Sequence, residues 1–216
     1  MVNGLVAGVF LKDKQDYMIN GLSGSEVNNI VWKTLDIKPE FEGYQIYKLP
    51  QAAIDLVHGG VVGDRHFVVE PNSKSAEVVL LSKEFLEEIN FKFKASLQPG
   101  SLGENILTSG INIDSFREGT ILHIGNDVKL LINDQRSFCF KLLLPIRKSM
   151  TVNLGRLDLN KRGLQAKVIQ GGTIKPGDKI TATLPANAKP WRQLNPIYPL
   201  TKEKLIYPKN VRDLNA

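Results

Sequence analysis

The 216-residue sequence predicts a mainly β protein closed into a barrel. Three observations carry that prediction. From Pro99 onward, glycines such as Gly100, Gly103, Gly110, Gly119 and Gly125 cut the chain into short segments, as many short strands with frequent turns require. Earlier in the chain, 4–12 and 44–49 are short β-branched or aromatic stretches bounded by polar or turn residues. No stretch repeats at a fixed period, which argues against a solenoid or propeller.

Taken in order, "GLVAGVFLK" (4–12) and "YQIYKL" (44–49) read as strands bounded by polar or turn residues. Between them Ser25 can cap a short helix running to about Leu35, with Glu26 in its first turn and an apolar stripe of Val27, Ile30, Val31 and Leu35. Pro39 ends that helix at the latest. "AEVVLL" (76–81) reads as a buried strand, and Ser82 as the N-cap of "KEFLEEIN", where Phe85, Leu86 and Ile89 recur at helical spacing. "TILHIG", "DVKLLIN", "GLQAKVIQ" and "DKITATL" are the later barrel strands, with Asn126 and Asp127 turning the first pair into a hairpin. After Leu184 the prolines multiply, with Trp191, Tyr198 and Tyr207 between them, as in an extended strap with aromatic anchors. The expected organisation is therefore a barrel domain over 1–186 and a Pro-rich basic extension over 187–216.

A chain with 42% hydrophobic residues supports one well-buried domain. No apolar run is long enough for a membrane span, and no basic, apolar, small-residue progression marks a secretory leader, so a cytoplasmic protein is expected. The net charge of +6 sits mostly in the extension, where Lys189, Arg192, Lys202, Lys204, Lys209 and Arg212 face only Glu203 and Asp213. Nucleic-acid binders carry their excess charge as a stripe on a folded face. This distribution argues against nucleic acid as the partner, and leaves a basic barrel that binds RNA through the aromatic tail as the weakest of three functional readings.

Three polar clusters can carry chemistry. "HGGVVGDRH" (58–66) gathers two histidines, an aspartate and an arginine around three glycines. "PGSLGEN" (99–105) is a second glycine-rich loop, ending in an acid and an amide. Each also reads as plain turn structure, and an Asp64–Arg65 neighbourhood as a surface ion pair of little worth. The third cluster surrounds the single cysteine, Cys139, in "QRSFCFKL". One cysteine excludes an internal disulfide. Between Phe138 and Phe140 it reads as a small buried hydrophobe. Yet Arg136, Lys141, Arg147 and Lys148, with no acid between Gln135 and Met150, favour thiolate, the form that attacks electrophiles or binds soft metals. Histidines at 58, 66 and 123 do not complete a structural zinc spacing, whereas a Cys–His nucleophile pair with His58 or His66 stays open.

"VVGDRHF", then a strand and helix, "PGSLGENILTSGINI", "GTILHIG", a cysteine after "QRSF" and "RGLQAKVIQGGTIKPGDKI" follow one another in an order and spacing that resembles the MOSC family, named for the C-terminal domain of molybdenum cofactor sulfurases. The resemblance covers about 58–184. It implies a MOSC-type β-barrel, an anionic pterin-phosphate ligand in the form of the molybdenum cofactor, and a cysteine that binds molybdenum or transfers sulfur to it. Cys139 takes the family's cysteine position, as catalytic residue and metal ligand. Gly63, Asp64, Arg65 and His66 match the Gly-Asp-Arg-His loop, Gly103, Glu104 and Asn105 the Gly-Glu-Asn stretch, and Arg162 opens the penultimate strand. Arg136 precedes the cysteine and joins this cofactor-binding set. The family commonly has proline before the cysteine, where this chain has Phe138, which leaves φ less restricted and retains an N–H.

The resemblance and the residues agree on chemistry. A thiolate suits molybdenum, and arginine forks suit a phosphate. The leading expectation is reduction of small N-hydroxylated compounds by cysteine-ligated molybdenum, with electrons from an external donor, because no flavin or Rossmann signature is visible. The second is a carrier of sulfur or of the cofactor that serves an accepting enzyme without turnover of its own. The chain has no room for the desulfurase region of a full sulfurase.

Overall fold

The computed structural model describes residues 2–12, 46–71, 76–136, 146, 156–158, 161–187, 191 and 197–199. The helix expected from Ser25 and the cysteine at 139 lie outside the described residues.

The strands are β1 (Val2–Leu11), β2 (Leu49–Gln51), β3 (Ile54–Val57), β4 (Gly60–Val61), β5 (Val78–Ser82), β6 (Ile106–Ser109), β7 (Ile121–Ile124), β8 (Val128–Gln135), β9 (Arg156–Asp158), β10 (Leu164–Gln170), β11 (Gly172–Ile174), β12 (Lys179–Thr183) and β13 (Ile197–Pro199). Helix α1 (Lys83–Phe93) lies between β5 and β6. Seven strands close a barrel in the order β1, β12, β7, β8, β10, β5, β6 and back to β1. The closing seam pairs Val2 with Ala182 and Leu5 with Lys179. Strand β2 extends the sheet outside the ring, on the far end of β1. The fold is thus the mainly β barrel that the sequence predicts.

Six of the seven barrel seams are antiparallel, and the seventh, β5 with β6, is parallel, pairing Leu80 with Ile106. A parallel pair needs a crossover connection, and α1 supplies it. Ser82 caps this helix, its hydroxyl accepting the Phe85 N–H at 3.1 Å, and Lys94 ends it at φ 48°. Its buried face of Phe85, Leu86, Ile89 and Phe93 lies against β5 and β6.

Alternation in the strands fills the interior. Val6, Leu80, Ile106, Leu122, Leu130, Ile132, Leu164, Ala166 and Ile180 form one apolar core. Leu81 and Leu107, one residue out of phase, are equally buried but outside that core, on the face that α1 covers. A small second sheet, β11-β3-β4, and the pair β13–β9 complete the described strands.

Two expectations need correction. The segment 44–49 is not a strand through its described part: 46–48 has no ladder, and only Leu49 enters β2. Its backbone is held instead by the Lys48 N–H donating to the Gly100 carbonyl at 2.9 Å. The β7–β8 hairpin pairs Ile124 with Val128, so its loop is Gly125, Asn126 and Asp127 rather than the last two alone, with Gly125 taking φ 59°. At the far end of the chain, the Trp191 indole N–H donates to the Phe116 carbonyl at 2.6 Å. Tyr198 sits in β13 opposite Leu157. Among the described residues no helix is long and apolar enough to cross a membrane.

Candidate functional site

Asp64 is the centre of the site. It follows β4 in a tight turn opened by Gly63 at φ 80°, and is 2% exposed. Its Oδ1 accepts the His66 N–H at 2.9 Å. Its Oδ2 accepts the Lys12 N–H at 3.1 Å and the Asn105 side-chain amide at 3.3 Å, and lies 2.9 Å from Lys48 Nζ. The Lys48 pair is an ion contact set off the direction of a well-aligned hydrogen bond. Burial alone would push the carboxyl up. The His66 imidazole, the Lys48 ammonium and the His66 N–H outweigh it, and hold Asp64 far below the usual carboxylate range.

One side chain therefore ties together the end of β1, the segment before β2, the loop after β4 and the residue before β6. Arg65 is fixed within that knot, its N–H donating to the Lys12 carbonyl at 2.8 Å, its side chain mostly buried. His66 approaches Asp64 at 3.5 Å through Nδ1, and its side chain stays 46% exposed at the rim. Asn105 spans three strands: its amide also donates to the Phe10 carbonyl at 3.3 Å, and its Oδ1 accepts the Val79 N–H at 3.1 Å.

The second glycine-rich loop closes onto the same place because it lacks side chains. A Cβ on Gly103 would stand 2.7 Å from the Ile46 carbonyl oxygen and 3.3 Å from an Arg136 guanidinium nitrogen. A Cβ on Gly100 would collide with the Lys48 carbonyl oxygen. Glycine at φ 77° and 88° is what lets 46–48 lie directly on this loop. Glu104 beneath it is fully buried, Oε1 accepting the Gly100 N–H at 2.6 Å. Its Oε2 has no hydrogen-bond partner among the described residues. Burial pushes this carboxyl up, against the opposing pull of its own and the Gly100 N–H, Arg136 and Lys48.

Arg136 follows β8 and Arg162 precedes β10. These neighbouring strands bring the two together: the Arg136 N–H donates to the Gly163 carbonyl at 3.0 Å, and Arg162 Nε donates to the Arg136 carbonyl. Burial pushes the Arg162 guanidinium down, opposed by Asp134.

Gly63, Asp64, Arg65, His66, Gly103, Glu104, Asn105, Arg136 and Arg162 are thus linked in one connected cluster, Arg162 through the Arg136 backbone. Cys139 lies outside the described residues. Sequence reasoning missed Lys48. Alternation in "QIYKL" puts Ile46 and Lys48 on one face and Tyr47 on the other, and the structure shows that the face carrying Lys48 is the buried one. It also missed Glu77, buried at the start of β5, whose Oε2 accepts the Gly59 N–H at 3.1 Å and the Val168 N–H at 3.0 Å. Glu77 holds the loop before the turn against β10.

The donor set suits an anion. Lys48, Arg65, Arg136 and Arg162 are all buried; Lys48 is paired with the firmly ionised Asp64, and Glu104, near Arg136 and Lys48, is biased toward its neutral form. Among the described residues, nothing lies within 4 Å of the side of Gly63 that a Cβ would occupy. These features fit the phosphate and the polar ring of a pterin cofactor. Among the described residues no group of three or more His, Cys, Asp or Glu converges to hold a metal ion.

The family model of the MOSC domain matches residues 57–181. The solved structure of YuaD from Bacillus subtilis is similar at 16% identity with a TM-score of 0.58, over 83% of this chain and 95% of that one. YiiM from Geobacillus stearothermophilus is similar at 17% identity with a TM-score of 0.53, over 83% of this chain and 75% of that one. At such identities the likeness is one of fold. No curated protein matches the chain.

Proposed function

The chain belongs to the MOSC domain family, whose model spans more than half of it, and from that membership and the buried cations around Asp64 we propose that it binds the molybdenum cofactor and reduces N-hydroxylated compounds with it. The observation that carries the proposal is the knot at Asp64, where four stretches far apart in sequence meet on one buried acid and fix the turn that carries Arg65.

In this reading Arg65 and Arg136 face the phosphate and pterin of the ligand, and Arg162 braces Arg136 from behind through its carbonyl. Asp64 and Asn105 hold the loop and touch no substrate. His66, whose side chain is 46% exposed, is the residue assigned to exchange a proton with the substrate. Cys139 would supply the protein's thiolate to the metal. When bound, the cofactor supplies two dithiolene sulfurs and the redox-active metal. The overall reaction takes two electrons from an external donor and two protons, breaks the N–O bond of the substrate, and releases amine and water.

The test is the full chain produced in a host that makes molybdopterin. Molybdenum and oxidised-pterin fluorescence in equal amounts are expected, with turnover of an N-hydroxylated amidine by a reduced viologen. Cys139→Ala and Cys139→Ser are expected to fold and to lose turnover, serine keeping metal with altered redox behaviour because oxygen is the harder ligand. Pterin-free protein that cannot be reconstituted overturns the proposal. Pterin and metal without turnover favour a carrier.

A further inference from the structure

Lys48 is 2% exposed, and a lysine is almost never buried so fully without a partner. Its partner is Asp64, at 2.9 Å. The same Oδ2 holds Lys12 N–H and Asn105, and the other oxygen holds His66 N–H. Every one of these bonds orients the turn that carries Arg65. We propose that Lys48 is the counter-ion of Asp64 and, through it, a positioning residue for Arg65, so that the charge on Lys48 sets how firmly the site retains an anionic ligand. The ligand's identity rests on the cofactor reading above; the ion pair does not.

The charged and titratable groups facing Lys48 are Asp64 from the turn, Arg65 and His66 beside it, Arg136 after β8 and Glu104 from the second loop. With Glu104 biased toward neutrality, Asp64 is the one firmly ionised acid among them. While Lys48 is charged, it compensates Asp64. Once Lys48 is neutral, the Asp64 charge falls to the neighbouring arginines, turning them inward and away from a ligand's phosphate. Burial, with Arg136 and Arg65 adding to it against the pull of Asp64, lowers the Lys48 ammonium to about 8, within reach of ordinary buffers. The packing that forces this burial is the approach of 46–48 onto Gly100 and Gly103.

The experiment follows pterin loss during dialysis of the full-length protein from a molybdopterin-making host, at about pH 6.5 and about pH 9.5. Wild type is expected to lose pterin about tenfold faster at the higher pH, as one charge-assisted contact is withdrawn. Lys48→Arg, charged throughout, is expected to lose it equally at both pH values, and Lys48→Met to lose it fast at both. A folded Lys48→Met that holds pterin like wild type, or a Lys48→Arg that keeps the wild-type pH dependence, overturns the proposal. If Lys48→Met does not fold, the comparison of wild type with Lys48→Arg decides. If wild type carries no pterin at either pH, the cofactor reading fails and the retention role with it. The counter-ion assignment is then judged separately, by whether Lys48→Met/Asp64→Asn unfolds at a higher temperature than Lys48→Met: recovery upholds it and no recovery overturns it.

Discussion

Replacing Asp64 with alanine strands a buried ammonium, but a lysine has an escape: it can shed its proton. In the native protein Lys48 holds its proton up to about 8, so at pH 7 both folded and unfolded chains carry it and its titration adds no slope to stability. Without Asp64 the folded state keeps Lys48 neutral while the unfolded state keeps it charged. Relative to the native pair the cost grows as pH falls below 8, to about 1 kcal/mol at pH 7 and about 3 kcal/mol at pH 6. The Lys12 N–H, His66 N–H and Asn105 amide also lose their acceptor, at about 1 kcal/mol each. The total is about 4 kcal/mol at pH 7, rising as pH falls, against a typical domain stability of about 5–15 kcal/mol. Urea unfolding followed by circular dichroism at several pH values between 6 and 8 measures it. Lys48→Met/Asp64→Ala, which shares the losses at His66 and Lys12, is the reference, and its stability is expected to lack the lysine slope. A loss below about 1 kcal/mol, or one that does not grow relative to the double variant as pH falls, refutes the reasoning.

Gly103→Ala forces a left-handed backbone at φ 77° to carry a methyl 2.7 Å from the Ile46 carbonyl oxygen, and is expected to cost about 2 kcal/mol or more. Thermal unfolding measures that cost, and faster amide exchange at Lys48 is expected to report its release from Gly100. Glu104→Gln keeps an acceptor for the Gly100 N–H and cannot ionise. The folded-state pKa of Glu104 is raised, so its contribution is fully present below the unfolded value of 4.5 and is lost as pH rises through the folded one. The stability of wild type relative to Glu104→Gln is therefore expected to fall with rising pH, as chemical unfolding across acidic to neutral pH will read.

The barrel strands were legible because each carries its own evidence: period-two burial in "ILHI" and "LQAKV", and a turn residue at each end. Helix α1 was legible from Ser82 and three apolar positions. The segment 46–48 misled because alternation reports which face is buried, not whether a neighbouring strand is there to bond. What lies against it is a loop, admitted by two glycines whose partners are more than fifty residues earlier. The parallel β5–β6 seam had no local signature either, since the order of strands round a barrel is a property of long-range pairing. The candidate site divides in the same way. The loops at 63–66 and 103–105 announced themselves by composition. Lys48 did not, because a lysine in an alternating segment is ordinarily on its wet face, and only the position of Asp64, sixteen residues on, makes the dry face habitable.

The seam between β1 and β12 has a consequence for how the chain reaches this state. Val2 meets Ala182, so the ring is sealed by contacts between nearly the first and the last of its residues, the kind of closure that is slow in two-state folding. During synthesis β1, with the apolar run "VNGLVAGVFL", emerges first and waits with an unpaired edge until residues 179–182 leave the ribosome. For that interval the nascent protein is an open sheet with a sticky margin, prone to join another copy instead of itself. The time that margin stays uncovered is therefore a hazard separate from the stability of the finished barrel, and slower growth and available chaperones are expected to favour soluble product over aggregate.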